Sequence, residues 1–294
     1  MKNINIEDLR VTSQIKLAEL PTQIDVKQDA DKIKSALKDI RYELSEIQDK
    51  MYAHNKYSVL VCLQGMDTSG KDSLIREVFK EMNPRGVVVE SFKTPTSAEL
   101  EHDFLWRHYK ALPERGKIGV FNRSHYENVL ITRVHPEYIL KENIPTILGV
   151  GDIPENFWHE RMKDMNSFEY HIAKSGTIVL KFFLHLSKEE QRQRLLRRLE
   201  KAKHNWKFSP GDLDERVLWD DYQNCYEEIL NNTSTEKAPW FVIPADDKEL
   251  ARYLVGKIVL TELQKYTDIQ NPELDDEVQE NIKKYKKILS ESKD

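Results

Sequence analysis

The sequence predicts an α/β protein in three layers, with a five-stranded parallel sheet covered by helices on both faces. Three observations carry that expectation. Five short runs, 57–64 (YSVLVCLQ), 87–92, 117–122, 177–185 and 240–244, are rich in β-branched and aromatic residues and almost continuously apolar, as strands of a covered sheet are. The segments between them read as helices with start signals, among them Thr96-x-x-Glu99 and Ser187-x-x-Glu190, both of capping-box form. Strands that alternate with helices are joined by crossovers, which makes the sheet parallel.

The elements follow in order. Ile33, Leu37, Ile40, Leu44, Ile47 and Met51 recur at alternating steps of four and three, so residues 31–51 form an amphipathic helix. Its apolar face is expected to pack on the protein's own core in preference to a second subunit. Residues 1–55 are therefore read as an N-terminal helical extension and 56–265 as the core. Residues 266–294 form a charged tail, whose stretch ELDDEVQENIKKYKKILSESKD is a peripheral helix with a frayed end. No internal repeat is visible.

Composition excludes several classes. With 294 residues, 39% hydrophobic and 32% charged, the chain can bury a core and is not disordered. No stretch approaches eighteen consecutive apolar residues, and MKNINIEDLR has no apolar signal core, so a cytoplasmic protein without a membrane partner is expected. Two cysteines cannot supply a disulfide framework, and Cys62 reads as a small buried thiol. The nine histidines show no HExxH or Cys/His spacing, and no G-x-S-x-G elbow is present.

Directly after the first strand comes Gly65-Met66-Asp67-Thr68-Ser69-Gly70-Lys71-Asp72-Ser73, then the helical run LIREVFKEM. This G-x-x-x-x-G-K spacing in a strand–loop–helix setting is a phosphate-binding loop. Its glycines let backbone N–H groups converge, the helix N-terminus adds partial positive charge, and Lys71 neutralises phosphate oxygens. Asp72 stands where Ser or Thr would touch magnesium, Ser73 is displaced by one, and Asp67 sits inside the loop. A carboxylate among phosphate-binding amides repels the ligand unless it holds a cation or accepts a proton, so Asp67 and Asp72 are candidate Mg²⁺ ligands and Asp67 a candidate catalytic group. Asp72 is equally well explained as a carboxylate favoured by the helix dipole.

The third strand ends in Asn122-Arg123-Ser124-His125-Tyr126-Glu127-Asn128. Carboxyl ends of adjacent parallel strands share one crevice, so this segment should confront the phosphate loop. Arg123 and Arg133 are then expected to stabilise charge on a transferring phosphoryl group, and Glu127 to hold a second substrate or a metal. After the fourth strand, residues 191–207 carry seven Lys/Arg against one acid, which leaves the rest of the −5 chain at −11. At about 100° per residue, Arg194, Arg197, Arg198 and Lys201 share one face and Leu195, Leu196, Leu199 and Ala202 the other. The apolar face is expected to pack. With the KFSPGD turn that follows, this makes a helical hairpin at about 188–215 that closes as a lid over phosphates and excludes water. Binding of nucleic acid is not expected, because only Trp206 and Phe208 interleave the basic run.

The blocks GMDTSGKDS, NPRG, SFKTPTSAELEHDFLWR, FNRSHYENVLITRVHPE, LKFFLHLSKEEQ, NWKFSPGDLDER and WDDYQ, in that order, closely resemble the polyphosphate kinase 2 family, and most of all its members that phosphorylate both AMP and ADP. The resemblance spans about residues 30–265. It implies a thymidylate-kinase-like P-loop fold with a helical lid, Mg²⁺ dependence, inorganic polyphosphate as donor, AMP and ADP as acceptors, and a homo-oligomer, dimer or tetramer, in which the N-terminal helix takes part. By motif, Asp67, Lys71, Asp72 and Ser73, with Thr68, Ser69 and Gly70 between them, match the family's phosphate loop. Asn122 and Arg123 match its second motif, and Arg197, Arg198 and Lys203 its lid. Many members have Asp where this chain has Asn122, and Asn where it has Glu127; the AMP-accepting ones share the pattern seen here. Which of Asp67, Asp72 and Glu127 hold Mg²⁺ stays open. Lys93 and Thr94 stand where mononucleotide kinases grip the acceptor, and Asp103, Asn122, Glu127 and Asn128 are assigned with them to nucleotide binding. An ATP-dependent nucleoside monophosphate kinase is the alternative, against which the displaced Ser73 and the extra loop carboxylate speak.

Overall fold

A computed structural model describes residues 4–26, 29–201, 205 and 211–292. Helix α1 (Ala30–His54) starts at Asp29, whose carboxylate accepts from the Asp31 N–H, and stops at Asn55 in the left-handed region. Strand β1 (Ser58–Gln64) leads into α2 (Lys71–Val78), and β2 (Val87–Ser91) into the short helices α3 (Ser97–Leu100) and α4 (Trp106–Lys110). Strand β3 (Ile118–Asn122) is followed by α5 (Glu127–Val134) and α6 (Phe157–Lys174), and β4 (Thr177–His185) by α7 (Lys188–Glu200), α8 (Gly211–Val217) and α9 (Trp219–Thr233). Strand β5 (Trp240–Pro244), α10 (Lys248–Gln264) and α11 (Asp276–Glu291) complete the order.

All five strands run parallel in the order β2-β3-β1-β4-β5. Side-chain alternation divides the core. Val59, Val61 and Leu63 of β1 face α1, α2 and α10, where Ile40, Leu44, Leu254 and Ile258 lie, while Leu60 and Cys62 face α6 at Phe168 and Ile172. The three-layer α/β expectation therefore holds, with α5 and α9 completing the second face around Tyr126, Tyr226 and Trp240. The face of α1 read from the sequence packs mainly along α10, and Ile33, Leu37, Ile40, Leu44 and Met51 are buried.

Three features differ from the sequence reading. Val88 and Val89 of β2 are 38% and 45% exposed, because β2 is an edge strand rather than a covered one. Residues 4–26 are not helical beyond two short 3₁₀ turns; the Val11 N–H donates to the Trp240 carbonyl and Arg10 bridges antiparallel to Phe241, so this strap caps the free edge of β5. On α7 only Leu195 of the apolar face is buried, whereas Leu196 and Leu199 are 42% and 45% exposed and Arg194 is buried instead. The first turns of α7 lie on the body and the rest projects from it.

Candidate functional site

The carboxyl ends of β1, β2 and β3 and the helices that follow β4 and β5 converge on one cleft of about 890 Å³. At its floor the chain leaves β1 through Gly65, whose φ of 152° and close approach to the Leu184 carbonyl leave no room for a side chain: a Cβ there would sit 2.9 Å from that oxygen. Gly70, at φ 104°, starts α2, whose first-turn N–H groups have no helical acceptor and open toward an anion. Thr68 and Arg123 have φ of 66° and 63°, and both line the cleft. Left-handed backbone in such residues is sustained by its surroundings and concentrates at functional positions.

Lys71 lies buried against the loop, with Nζ donating to the Gly65 carbonyl at 2.6 Å and to Met66 O at 3.3 Å. Burial, and then the neighbouring Arg123, lowers its pKa to about 8, so a phosphate group would relieve both penalties. Arg123 spans the cleft, its Nη2 on Asp67 Oδ1 at 2.7 Å and its Nη1 on Glu127 Oε2 at 3.2 Å. Glu127, ahead of Asp67, raises the guanidinium pKa further. The Arg123 backbone N–H donates to Leu63 O, which locks the β3 end to the β1 end. Asn122 Nδ2 donates to Asp72 Oδ1 at 2.8 Å and to Ser91 Oγ at 3.3 Å, and Ser73 Oγ donates to the Gly70 carbonyl. Among the described residues, nine lysines and arginines line the cleft against the three aspartates Asp67, Asp72 and Asp212. Such an excess suits a polyanion.

Thr68, Ser69 and Gly70 form the cleft wall with Lys93, Arg197 and Arg198. Arg197 Nη2 meets Glu190 at 2.7 Å, and Arg198 Nη1 meets Asp212 at 3.1 Å across the α7–α8 hairpin. Thr94 is exposed in the loop after β2 without lining the cleft, and Asp103 is exposed with its carboxylate on the Leu105 N–H. Neither lines the cleft, and three further expected residues also stand outside its wall. Arg133 pairs with both oxygens of Glu228 at the far end of α5, one turn and more beyond the cleft wall. Asn128 is buried, donating to His125 O and Phe104 O, because it knots α5 to the α4 segment. Glu127 lies behind Arg123 as its counter-ion and is not part of the cleft wall. Lys203, Trp206 and Phe208, with most of the KFSPGD turn, lie outside the described residues.

Sequence reasoning gave no role to Lys248, Arg76 or Asp212, which also line the cleft, and missed how Arg194 is used. Arg194 is 4% exposed; it donates to the carbonyls of Thr68, Ser69, Ala245 and Asp246 and pairs with Glu190. It rivets the base of α7 to the phosphate loop. The signal for Lys248 was available, since the end of every strand in a parallel sheet faces the same crevice.

The polyphosphate kinase 2 family model matches residues 27–272. This chain belongs to the polyphosphate kinase 2 family. An ADP-polyphosphate phosphotransferase of Rhodopseudomonas palustris is 50% identical over 216 residues, 74% of each chain. An AMP/ADP-polyphosphate phosphotransferase of Meiothermus ruber is 44% identical over 229 residues, 78% of this chain and 80% of that one. The crystal structure of polyphosphate kinase 2 from Arthrobacter aurescens TC1 superposes with a TM-score of 0.83 at 37% identity over 92% of both chains. The P-loop kinase fold expected from the sequence is thus the fold of the family, and the edge position of β2 and the strap on β5 are details within it.

For Mg²⁺, the donor set fits the ion. Asp67 and Asp72 offer hard carboxylate oxygens beside the Ser73 hydroxyl, and no group of three His, Cys, Asp or Glu among the described residues forms a closed cage. One or two carboxylates completed by phosphate oxygens and water is how Mg²⁺ is ordinarily held at phosphoryl-transfer sites.

Proposed function

We infer that the protein transfers the terminal phosphoryl group of inorganic polyphosphate to AMP and to ADP, forming ADP and ATP. The observation that carries the reading is the phosphate loop with buried Lys71 facing Arg123 in a cleft walled by nine cationic side chains, in a chain of the polyphosphate kinase 2 family. A terminal phosphate oxygen of the acceptor attacks the end phosphorus, the bridging P–O bond breaks, and the shortened polymer leaves with the bond's electron pair. The transition state is loose, so the work is alignment and charge neutralisation.

The residues divide that work by position. Lys71 and the α2 N-terminus hold the donor phosphates, with Thr68, Ser69, Gly70 and Ser73 shaping the loop. Arg123, aimed by Asp67 and Glu127, meets the charge that builds between donor and acceptor. Arg197 and Arg198 extend the polyphosphate path along α7, and Lys203 is assigned to the same role from the family motif alone. Lys93 and Thr94, beside Asn122, stand on the acceptor side. Mg²⁺ held by Asp67 and Asp72 would neutralise the phosphate oxygens further. A homo-oligomer, dimer or tetramer, in the cytoplasm and without nucleic-acid or membrane partners completes the reading; no helix among the described residues is long and apolar enough to cross a membrane.

Incubation with polyphosphate, AMP and Mg²⁺ in the absence of ATP should yield ADP and then ATP. No nucleotide product, or ATP plus AMP reacting faster than polyphosphate plus AMP, would reject the assigned donor.

A further inference from the structure

Helix α11 lies beyond residues 27–272, which the family model matches, and every residue in it is exposed. Yet it is built to be covered. Val278, Ile282, Tyr285 and Leu289 recur at steps of four, three and four, and they are 40%, 50%, 56% and 75% exposed. This is one continuous apolar stripe along a sixteen-residue helix about 24 Å long. Nothing on the described chain covers it.

The charges say what does. At about 100° per residue, Asp275 and Lys286 fall on one shoulder of the stripe, and Glu277 and Lys284 fall on the other. Two helices packed parallel bring unlike shoulders together, setting Asp275 against Glu277 and Lys286 against Lys284. Two helices packed antiparallel bring like shoulders together, so Asp275 meets Lys286 and Glu277 meets Lys284, four complementary contacts in a two-fold pair. The apolar spacing is symmetric under the same operation: with Ile282 beside its own copy at the centre, Val278 faces Tyr285. We propose that α11 pairs antiparallel with α11 of a second copy of this chain. A two-fold contact of this length is modest in area and forms in the micromolar range or as one interface among others. The proposal adds a surface to the homo-oligomer reading above and is independent of the catalytic one.

The test uses full-length protein with Lys284→Glu, then the same chain with Glu277→Lys added; Asp275 is left in place because its carboxylate caps α11 by accepting from the Val278 N–H. By sedimentation velocity the first variant is expected to lose one association step, halving its mass or raising that step's dissociation constant at least tenfold. The second should recover it. These residues lie outside the cleft, so nucleotide production in both reports an intact fold. Under oxidation, Ile282→Cys should cross-link to itself and Val278→Cys should not, since an antiparallel pair holds the two copies of position 278 about 10 Å apart along the axis, whereas a parallel pair would join both. Cys62 and Cys225 are buried and give little background. Unchanged mass in the first variant, no recovery in the second, or equal cross-linking at 278 and 282 overturns the pairing. If the mass is unchanged but oligomeric, the homo-oligomer reading survives; a wild-type chain that stays monomeric at all concentrations removes both.

Discussion

Glu169→Gln is expected to destabilise the protein by ~3–5 kcal/mol, the range for breaking one side of a buried ion pair. The Lys181 ammonium sits 2.6 Å from Glu169 Oε2, with the two side chains 0% and 1% exposed. At that separation and an effective dielectric near 20 the attraction is ~6 kcal/mol, roughly cancelled by the burial of two ions. The intact pair therefore contributes little net, but a single surviving charge keeps its own burial penalty. Burial alone would raise the Glu169 pKa, and Lys181 and His125 more than offset it, so the group ionises below its ordinary 4.5. The pair's stabilisation is hence present above that value and is lost as pH falls through the lowered one. Tyr126 Oη donates to Glu169 at 2.8 Å and His125 Nε2 lies 3.0 Å away, three and two residues from Arg123. Loosening the pair should therefore lower kcat as well as stability. In calorimetry the Tm should fall by roughly 6–20 °C, at ~2–4 °C per kcal/mol for a large domain. Adding Lys181→Met should recover at least ~2 kcal/mol, a coupling that a double-mutant cycle reads directly. A loss below ~1 kcal/mol for Glu169→Gln, or strict additivity in the cycle, would refute the reasoning.

Other outcomes follow from the cleft. Lys71→Ala should reduce kcat/KM for polyphosphate by ~10²–10³ while leaving Tm equal or higher, since a buried ammonium is removed; retained activity would displace Lys71 from the mechanism. Arg194→Ala, which strips donors from four carbonyls, should cost more activity than Arg197→Ala, and the reverse order would show that the anchor at the base of α7 is dispensable. Arg133→Ala breaks a half-exposed pair with Glu228 worth at most ~1 kcal/mol and should leave kcat within about threefold. Lys248, whose pKa burial and then Arg194 lower to about 8, loses its charge as pH rises through that value, so the KM for polyphosphate should climb between pH 7 and 9. Lys248→Gln should flatten that climb, and an equally steep profile in the variant would assign it to another group.

How much of this could be read beforehand depends on range. The strands, the phosphate loop and the capping at Thr96 and Ser187 are local patterns, and the structure keeps them within a residue or two. The meeting of Arg123 with Asp67 was legible too, because parallel topology fixes which strand ends adjoin. What a helical wheel cannot tell is which of several arginines on one face is swallowed by the body. Arg194 and Arg197 are three residues apart, yet one is 4% exposed against four carbonyls and the other remains in the cleft wall. Arg133 looked alike in sequence to Arg123, but its helix carries it away to Glu228, a partner ninety-five positions distant. The strap on β5 escaped notice because an edge-capping segment has no periodicity of its own. Lys181 lay hidden in an apolar run, its partners supplied by α6, α5 and the end of α9.

One carboxylate links the buried and the exposed arginines of α7. Glu190 Oε1 accepts from buried Arg194 at 2.7 Å and from half-exposed Arg197 at 2.7 Å. An incoming anion that recruits Arg197 must outbid a group already holding it, while Arg194 keeps Glu190 charged and in place. Isolated carboxylates and small monoanions are matched by the occupant and gain nothing by exchange. A ligand presenting several adjacent phosphates can win, because it engages Lys201 and Arg198 in the same move. Helix α7 thus carries its own competitor for Arg197, and a bound polyanion has to displace it.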